Sequence, residues 1–216
     1  MAESLFDNLA DRYDAWFDSP DGAPIFAAEA RCVRALLEGA PRPWLEVGVG
    51  TGRFAETLGI EEGLDPSRAV LKIAAGRGVR TCFGHAEQMP YEAQSFGTVL
   101  MVVTICFVDD AQVALDECVR VLADGGSLIV GLVPADSAWG KRYARQGEEG
   151  HVFYSEATFY TCEQVVDMSR QAGLDLDAAM SCIFTQPEAP LDSDEPMREG
   201  VIESAGFVAM RFTAQR

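Results

Sequence analysis

The stretch LEVGVGTGRF, residues 45–54, places three alternating glycines, Gly48, Gly50 and Gly52, directly behind a short apolar run. Glycine adopts positive φ at little cost and lets a ligand approach the main chain where a Cβ would clash. A glycine loop between a strand and a helix also presents free backbone N–H groups to a polar or anionic ligand. A tight structural turn is the alternative, but three alternating glycines behind a strand favour a ligand-binding loop.

Segments with strand and helix patterns alternate along the chain. Helices are expected at about 4–17, 24–39, 52–58, 66–78, 109–126 and 162–173, and strands at about 43–48, 62–65, 79–84, 96–107, 127–134, 174–185 and 206–212. Residues 136–160 are expected to be mostly loop. The alternation predicts an α/β fold, a Rossmann-like three-layer sandwich around a parallel sheet. Because ligands bind outside the carboxyl ends of such strands, the glycine loop lies in the right place.

Composition excludes several classes of function. The 34 acidic and 17 basic residues give a net charge of −17, which argues against nucleic acid as a partner because phosphate neutralisation needs clustered Lys and Arg. No apolar run approaches the roughly 20 residues that span a bilayer, so no membrane partner is expected. The acidic, amphipathic N-terminus resembles neither a signal nor a transit peptide. A cytoplasmic enzyme or binding protein, monomeric or homodimeric, is expected.

The cysteines and histidines predict no metal site. Six cysteines are scattered without a CxxC pair, and there are two histidines, His85 and His151. Zinc-ligand spacing is therefore absent, and the cysteines are expected to be small buried side chains in a reducing compartment.

The glycine pattern alone leaves the ligand open. The dinucleotide fingerprint G-x-G-x-x-G/A, counted from Gly48, needs glycine or alanine at position 53, which is Arg53. Shifted by two positions it fits Gly50, Gly52 and Ala55, so the motif does not exclude NAD.

Four segments taken together indicate which ligand the glycine loop binds. They are LEVGVGTGRF, GLDPS (63–67), GHAEQMPYEAQSFGTVLMVVTICFVDD (84–110) and VLADGGSLIVG (121–131). They resemble the class I S-adenosylmethionine-dependent methyltransferases, in the small-molecule, type 11-like branch. The resemblance covers about residues 40–135, and FYTCEQVVDMSRQAGL (159–174) is also similar to that branch. It implies a seven-stranded, mostly parallel sheet with an antiparallel last strand. It also implies one domain, with lid helices at 1–40, a cofactor-binding core at 41–135, and substrate-side loops and closing strands at 136–216.

The resemblance assigns the methionine and ribose contacts of S-adenosylmethionine. Glu46 matches the acid that helps to hold the methionine amino group, and Gly48, Gly50 and Gly52 match the glycines beneath methionine and ribose. Asp65, followed by Pro66, matches the acid that accepts both ribose hydroxyls. A carboxylate suits this role because it only accepts hydrogen bonds and can take a diol bidentately. Asp65 could also cap the helix that follows, and the two roles are compatible.

The resemblance also assigns the adenine contacts and the methionine end. Ala86 and Glu87 match the segment that contacts adenine, and Val102 and Val103 match main-chain contacts to the methionine end. Many relatives carry aspartate where this chain has His85. His85 could accept from the adenine amine as neutral imidazole, Glu87 could substitute for it, or His85 could be a surface residue.

The N-terminal DRYDAWFD, residues 11–18, resembles the lid helix of the family. The resemblance makes Tyr13 the candidate contact to the cofactor carboxylate. Trp16 and Phe17 either wall the substrate pocket or pack the helix on the sheet. Tyr13 and His151 are the weak candidates for a catalytic contact, since methyl transfer needs a general base only when the acceptor is protonated.

Three functions are therefore compared. The first is methyl transfer from S-adenosylmethionine to a small molecule, and the second is an NAD(P)-dependent oxidoreductase. The third is a non-catalytic protein that binds S-adenosylmethionine, since fold does not dictate function. Residues 136–160 and 186–205 are expected to shape the substrate pocket.

Overall fold

A computed structural model describes residues 5–191 and 194–214; residue 4 of the first expected helix lies outside them. The helices are α1 Leu5–Trp16, α2 Gly22–Leu37, α3 Arg53–Leu58, α4 Arg68–Gly76, α5 Ala111–Val121, α6 Ala138–Glu148 and α7 Cys162–Gln171, with 3₁₀ turns at Ile105–Phe107 and Tyr154–Glu156. The strands are β1 Trp44–Val47, β2 Glu62–Asp65, β3 Arg80–Phe83, β4 Phe96–Val102, β5 Leu122–Leu132, β6 Leu174–Cys182, β7 Arg198–Glu199 and β8 Phe207–Ala214.

The strands form one sheet in the order β3-β2-β1-β4-β5-β8-β6-β7. Strands β1 to β5 pair in parallel, whereas β8 is antiparallel to both β5 and β6. The predicted α/β fold with a mostly parallel sheet is confirmed. The expected count of seven strands was wrong, because the two-residue β7 adds an eighth strand beside Met180 and Ser181. Two residues are too few to show a strand pattern in the sequence.

Two apolar cores cover the two faces of the sheet. Along β4, Leu100 and Val102 enter the core beneath α2, α3 and α4, whereas Val99 and Met101 enter the core beneath α5 and α7. Successive strand residues point to opposite faces, so a continuous apolar run is what a strand covered on both sides requires. The result is the expected three-layer sandwich.

The loop expected at 136–160 was wrong in part, because it contains α6. Ser137 caps this helix by accepting from Gly140 N. Gly140 and Gly147 lower the helix propensity of the segment, which hides the helix in the sequence. Close packing explains why glycine is needed here, since a Cβ on Gly147 would lie 2.5 Å from the Tyr154 carbonyl oxygen.

Several boundaries also differ from expectation. Strand β5 begins at Leu122, inside the helix expected at 109–126, and β4 ends at Val102 instead of continuing to 107. Pro66 precedes the α4 cap instead of lying in its first turn, because Ser67 is the N-cap and accepts from Val70 N. Within the described residues, no helix is both long and apolar enough to cross a bilayer.

Candidate active site

The glycine loop, residues 48–52, leaves the carboxyl end of β1 between β2 and β4. All three glycines have positive φ, of 71°, 52° and 81° in chain order. A Cβ on Gly48 would lie 2.2 Å from Thr104 Cγ2, and one on Gly52 would lie 3.0 Å from Ala74 Cβ. Gly50 instead faces α1, where the nearest atom to its Cβ position is Tyr13 Cε1 at 3.4 Å. Packing within the protein therefore accounts for Gly48 and Gly52, and Gly50 is the position open toward a ligand.

Asp65 lies at the end of β2 and ties the glycine loop to α4. Its Oδ2 accepts from Gly50 N at 2.9 Å, and its Oδ1 accepts from Ser67 N at 2.8 Å. Burial raises the pKa of Asp65 to about 6, although both backbone N–H groups act in the opposite direction. A carboxylate oxygen can accept more than one hydrogen bond. The same carboxylate can therefore hold the loop and still accept from a diol.

Glu46 is the most buried acid on this edge, with 1% of its surface exposed. Its Oε2 has no hydrogen-bond partner within the described residues. Burial raises the pKa of Glu46 well above its usual value, and the neighbouring Asp65 charge adds to the shift. An unpartnered buried acceptor is costly unless a ligand supplies a donor. Glu46 therefore fits a ligand that carries an amino group.

Helix α1 contains most of the segment that resembles the lid helix of the family, and it places Tyr13 over the glycine loop. The Tyr13 ring makes edge contacts with Phe6 and Phe17, at centroid distances of 5.3 and 5.2 Å. Burial raises the pKa of its hydroxyl, and the nearby carboxylates of Asp65, Glu46 and Glu29 raise it further. Tyr13 thus stands between the carboxylates beside the glycine loop and Glu29 on α2.

An ion-pair network that the sequence did not reveal anchors the lid helix. Arg53 pairs with Asp14 at 2.9 Å and with Asp18 at 2.6 Å, and Arg77 pairs with Asp14 at 2.9 Å. Burial alone would raise the pKa of Asp14, but the hydrogen bonds from both arginines outweigh it and hold the pKa well below its usual value. The only signal for this network was Asp14 on an expected helix and Asp18 just after it, with an arginine after the glycines.

The adenine-side candidates lie on the segment after β3. Ala86 is buried, whereas His85 is exposed. Glu87 Oε1 accepts from Asp109 N at 2.8 Å, so this carboxylate already supports the loop that precedes α5. His85 and Glu87 line a pocket together with Phe83 and Asp109.

The end of β4 is strained. Val103 has φ 51°, an outlier for a β-branched residue, and its N–H donates to Gly131 O at 2.8 Å. Thr104 Oγ1 donates to Gly48 O at 3.3 Å and to Val102 O at 3.1 Å. The threonine, which the sequence did not single out, joins this strand end to the glycine loop. Such strain is often stored where a main chain contacts a ligand.

A cavity of about 420 Å³ lies on the other side of Tyr13. Its walls are largely aromatic and come from α1, α6 and the segment after α6, with Glu29 from α2. Trp16 and Phe17 both line it. His151 also lines it, stacked on Tyr154 at 4.4 Å, with its Nδ1 buried and unpartnered within the described chain. None of the described residues of 186–205 lines the cavity, whereas the segment 136–160 contributes Tyr143, His151, Phe153, Tyr154, Phe159 and Tyr160.

Comparisons with known proteins identify the family. A model described as a methyltransferase domain matches residues 45–130. A crystal structure from Thermotoga maritima, described as an S-adenosylmethionine-dependent methyltransferase and possible histamine N-methyltransferase, is 39% identical, covers 98% of both chains and has a TM-score of 0.89. The chain belongs to the class I S-adenosylmethionine-dependent methyltransferases, in the type 11 branch.

Two curated relatives are also similar to this methyltransferase. An uncharacterised protein of Mycobacterium tuberculosis is 42% identical over 97% of this chain and 73% of its own length. A demethylmenaquinone methyltransferase of Thermotoga maritima is 30% identical over 60% of each chain.

The cofactor of this methyltransferase is S-adenosylmethionine, and its site fits the residues described above. Glu46 offers an unpartnered buried acceptor, Gly50 an open approach to the main chain, and Asp65 a carboxylate at the end of β2. The comparisons do not favour the oxidoreductase or the non-catalytic alternative. In the described ranges, 5–191 and 194–214, no three metal-ligating side chains cluster.

Proposed function

We propose that this enzyme transfers the methyl group of S-adenosylmethionine to a small-molecule acceptor held in the aromatic cavity. The observation that carries the proposal is the position of Tyr13, which borders both the glycine loop and the cavity. An acceptor in the cavity would meet the cofactor at this boundary. The cavity volume of about 420 Å³ suits a metabolite, and the net charge of −17 disfavours RNA or DNA.

The proposed cofactor contacts follow the geometry of the described residues. Glu46 accepts from the methionine amino group, Asp65 accepts from the ribose diol, and the main chain at Gly50 passes beneath the cofactor. Tyr13 covers the methionine end together with the backbone of Val102 and Val103. Ala86, His85, Glu87, Gly48, Gly52 and Pro66 complete the proposed set around these contacts.

When bound, S-adenosylmethionine supplies a methyl group on a positively charged sulfur, which an acceptor takes by in-line displacement. The chain's own residues would align the acceptor and exclude water. Phe17 and Phe153 close the cavity from two sides of the Tyr13 ring. His151, whose buried Nδ1 has no partner in the described chain, is the candidate for accepting a proton from an acceptor that carries one.

The wider proposal concerns the whole chain. One domain would comprise the lid region 1–40, the cofactor-binding core 41–135 and the substrate-side region 136–216, acting as a monomer or homodimer. A cytoplasmic location is supported by the cysteines, all six of which are unpaired.

Calorimetry with S-adenosylhomocysteine tests the cofactor site. Gly50→Val should weaken binding at least tenfold, because its side chain would enter the space beside Tyr13. Gly78→Val is the matched control, since Gly78 also has positive φ but has no atom within 4 Å of its Cβ position. Equal affinity in the two folded variants would show that the loop does not approach the cofactor.

Transfer of a radiolabelled methyl group tests the acceptor class. The enzyme is incubated with labelled S-adenosylmethionine and a cell extract that has been split into small molecules, protein and nucleic acid. Label should enter the small-molecule fraction. Label confined to protein or nucleic acid would contradict a small-molecule acceptor.

A further inference from the structure

Glu29 is a buried acid that the proposed cofactor contacts do not use. It lies on α2 and lines the aromatic cavity, with 5% of its surface exposed. Burial raises the pKa of Glu29 to about 8, with no opposing hydrogen bond or positive charge. No described residue forms a hydrogen bond or ion pair with it. A buried carboxylate without a partner is costly, so a ligand that pairs with it would bind favourably.

Within the described lining of the cavity, no buried positive charge balances Glu29 once it ionises. The ionised carboxylate raises the pKa of the Tyr13, Tyr143 and Tyr154 hydroxyls, and all three residues line the same cavity. Among the described residues that line the cavity, Arg12 is the only arginine or lysine, and it is exposed. Water therefore screens the Arg12 charge, whereas Glu29 acts within the cavity.

The cavity walls contain stacked aromatic rings, which together with a carboxylate are typical of a site for an organic cation. Tyr143 stacks on Tyr154 with centroids 4.5 Å apart, and His151 stacks on the same Tyr154 ring. Phe153 stacks on Phe6 at 5.5 Å. Aromatic faces attract organic cations, and the attraction is stronger away from water. A carboxylate among aromatic rings thus matches a positive charge on an apolar body.

We propose that the cavity selects a small organic amine that binds as a cation, with its positive charge beside Glu29 and its apolar part against the aromatic walls. This proposal deepens the proposed function and rests on it, since it names the chemical class of the methyl acceptor. A neutral or anionic molecule of the same size would leave the carboxylate unpaired or repelled. Recognition of charge would then supply the selectivity that the apolar walls alone lack.

Calorimetry with four probes tests this selectivity in protein saturated with S-adenosylhomocysteine. The cations are phenyltrimethylammonium, whose charge does not titrate, and 2-phenylethylamine. The uncharged and anionic counterparts are 2-phenylethanol and 3-phenylpropanoate. Both cations should bind at least tenfold more tightly than either counterpart. Cations that bind no better than 2-phenylethanol, including the case in which no probe binds, would overturn the proposal.

Glu29→Gln assigns the selectivity to the carboxylate. Its affinity for the two cations should fall at least tenfold, while its affinity for 2-phenylethanol and S-adenosylhomocysteine should stay within twofold. Glu38→Gln is the control, because Glu38 is an exposed acid at the C-cap of the same helix. Unchanged cation affinity in Glu29→Gln would refute the role of Glu29. Should Glu29→Gln not fold, the selectivity of the wild-type protein alone decides.

The two proposals fail in different ways. S-adenosylhomocysteine binding, measured before any probe is added, tests the methyltransferase site. If S-adenosylhomocysteine binds and the cations show no preference, the amine proposal fails and the proposed function stands. If S-adenosylhomocysteine does not bind, the proposed function fails, and the amine loses its assignment as a methyl acceptor.

Discussion

At the scale of single residues, Asp65 joins structure and cofactor binding in one carboxylate. Asp65→Asn replaces one acceptor oxygen with an NH₂ group that faces the N–H of Gly50 or Ser67. Affinity for S-adenosylhomocysteine should fall by roughly 1.5–3 kcal/mol, the cost of losing a hydrogen bond to a charged group. Calorimetry measures the loss, with Asp124→Asn as the control, since Asp124 is an exposed acid in β5. Equal dissociation constants in the two variants would leave Asp65 with its structural role alone.

The strain at Val103 makes a prediction about stability. An L-residue with a Cβ is disfavoured in the left-handed region by about 1–2 kcal/mol, whereas glycine is not. Val103→Gly should therefore be more stable than Val103→Ala by about 1 kcal/mol, because Val103 has φ 51°. At Val102, which lies in β4, the order should be the reverse. Urea denaturation of all four variants checks it, and the same order at both positions would remove the strain argument.

Glu46, Gly50 and Asp65 could be proposed from the sequence because they stand in short motifs that carry the family resemblance, the first two around the end of β1 and Asp65 at the end of β2. The sequence could not locate Glu29 or the partners of Arg53. Glu29 lines its cavity together with residues of α1 and α6, and Arg53 meets Asp14 across 39 residues of chain. Contacts of this kind are set by the tertiary fold, and residue periodicity does not encode them.

At the scale of elements, the lid helix is held by charge as well as by aromatic packing. Asp14 receives hydrogen bonds from both Arg53 and Arg77, and these side chains are mostly buried. Asp14→Asn keeps the shape of the side chain but removes the charge that two guanidinium groups share, leaving Arg53 with Asp18 and Arg77 with Glu56. Residues 5–16 should then exchange amide hydrogen faster, and S-adenosylhomocysteine should bind more weakly because Tyr13 is less well fixed over Gly50.

Hydrogen exchange followed by mass spectrometry checks the Asp14 prediction. Asp11→Asn is the matched control on the same helix, since Asp11 is exposed. Exchange in α5 should stay unchanged in both variants. Protection of α1 that is equal in Asp14→Asn and in wild type would show that aromatic packing alone holds the lid.

The sequence predicted a helix or strand correctly where the pattern that defines the element lies within its own residues. Helix α5 begins after Asp110, which accepts from Gln112 N and Val113 N, and β4 is a continuous apolar run. It failed at α6 and β7, for different reasons. Helix α6 contains two glycines whose role is tertiary, and β7 is defined only by its pairing with β6. Both depend on neighbours distant in the chain.

At the scale of the whole molecule, acids dominate the response to pH. Glu29 and Asp65 have pKa values raised mainly by burial, to about 8 and about 6, and Glu46 is raised as well. Other acids have lowered pKa values. At Asp14 and Glu61, burial acts to raise the pKa, but hydrogen bonds outweigh it and lower the pKa. At Glu117, the hydrogen bond from Arg120 is the main cause of the lowered pKa. An acid whose pKa is raised in the folded state binds its proton more tightly there than in the unfolded chain. Its contribution to stability therefore declines as pH rises from the unfolded pKa to the folded pKa. An acid whose pKa is lowered in the folded state stabilises the fold above its unfolded pKa, and this contribution is lost as pH falls through the folded pKa.

These signs predict that the protein is more stable near pH 6 than near pH 8.5. The unfolded pKa values are 3.8 for Asp and 4.5 for Glu. The acids whose pKa values are lowered on folding therefore contribute their full stabilisation at every pH between 6 and 8.5. Glu29 alone loses up to a few kcal/mol across it, since each pKa unit is worth about 1.4 kcal/mol. The net charge of −17 adds repulsion of the same sign as pH rises.

Thermal unfolding of wild type, Glu29→Gln and Glu38→Gln at pH 6, 7 and 8.5 tests the share of Glu29. Wild type and Glu38→Gln should lose several degrees of Tm between pH 6 and 8.5, and Glu29→Gln should lose distinctly less, because its amide has no proton to release. The titratable or charged groups near Glu29 include Tyr13, Tyr143, Tyr154 and Cys182, on which its charge acts, Arg142 beside two of these tyrosines, and Arg12 and His151 in the cavity wall. They are common to all three proteins, so the difference between the Tm curves isolates Glu29. Parallel curves for wild type and Glu29→Gln would mean that Glu29 is already ionised in the empty cavity at neutral pH.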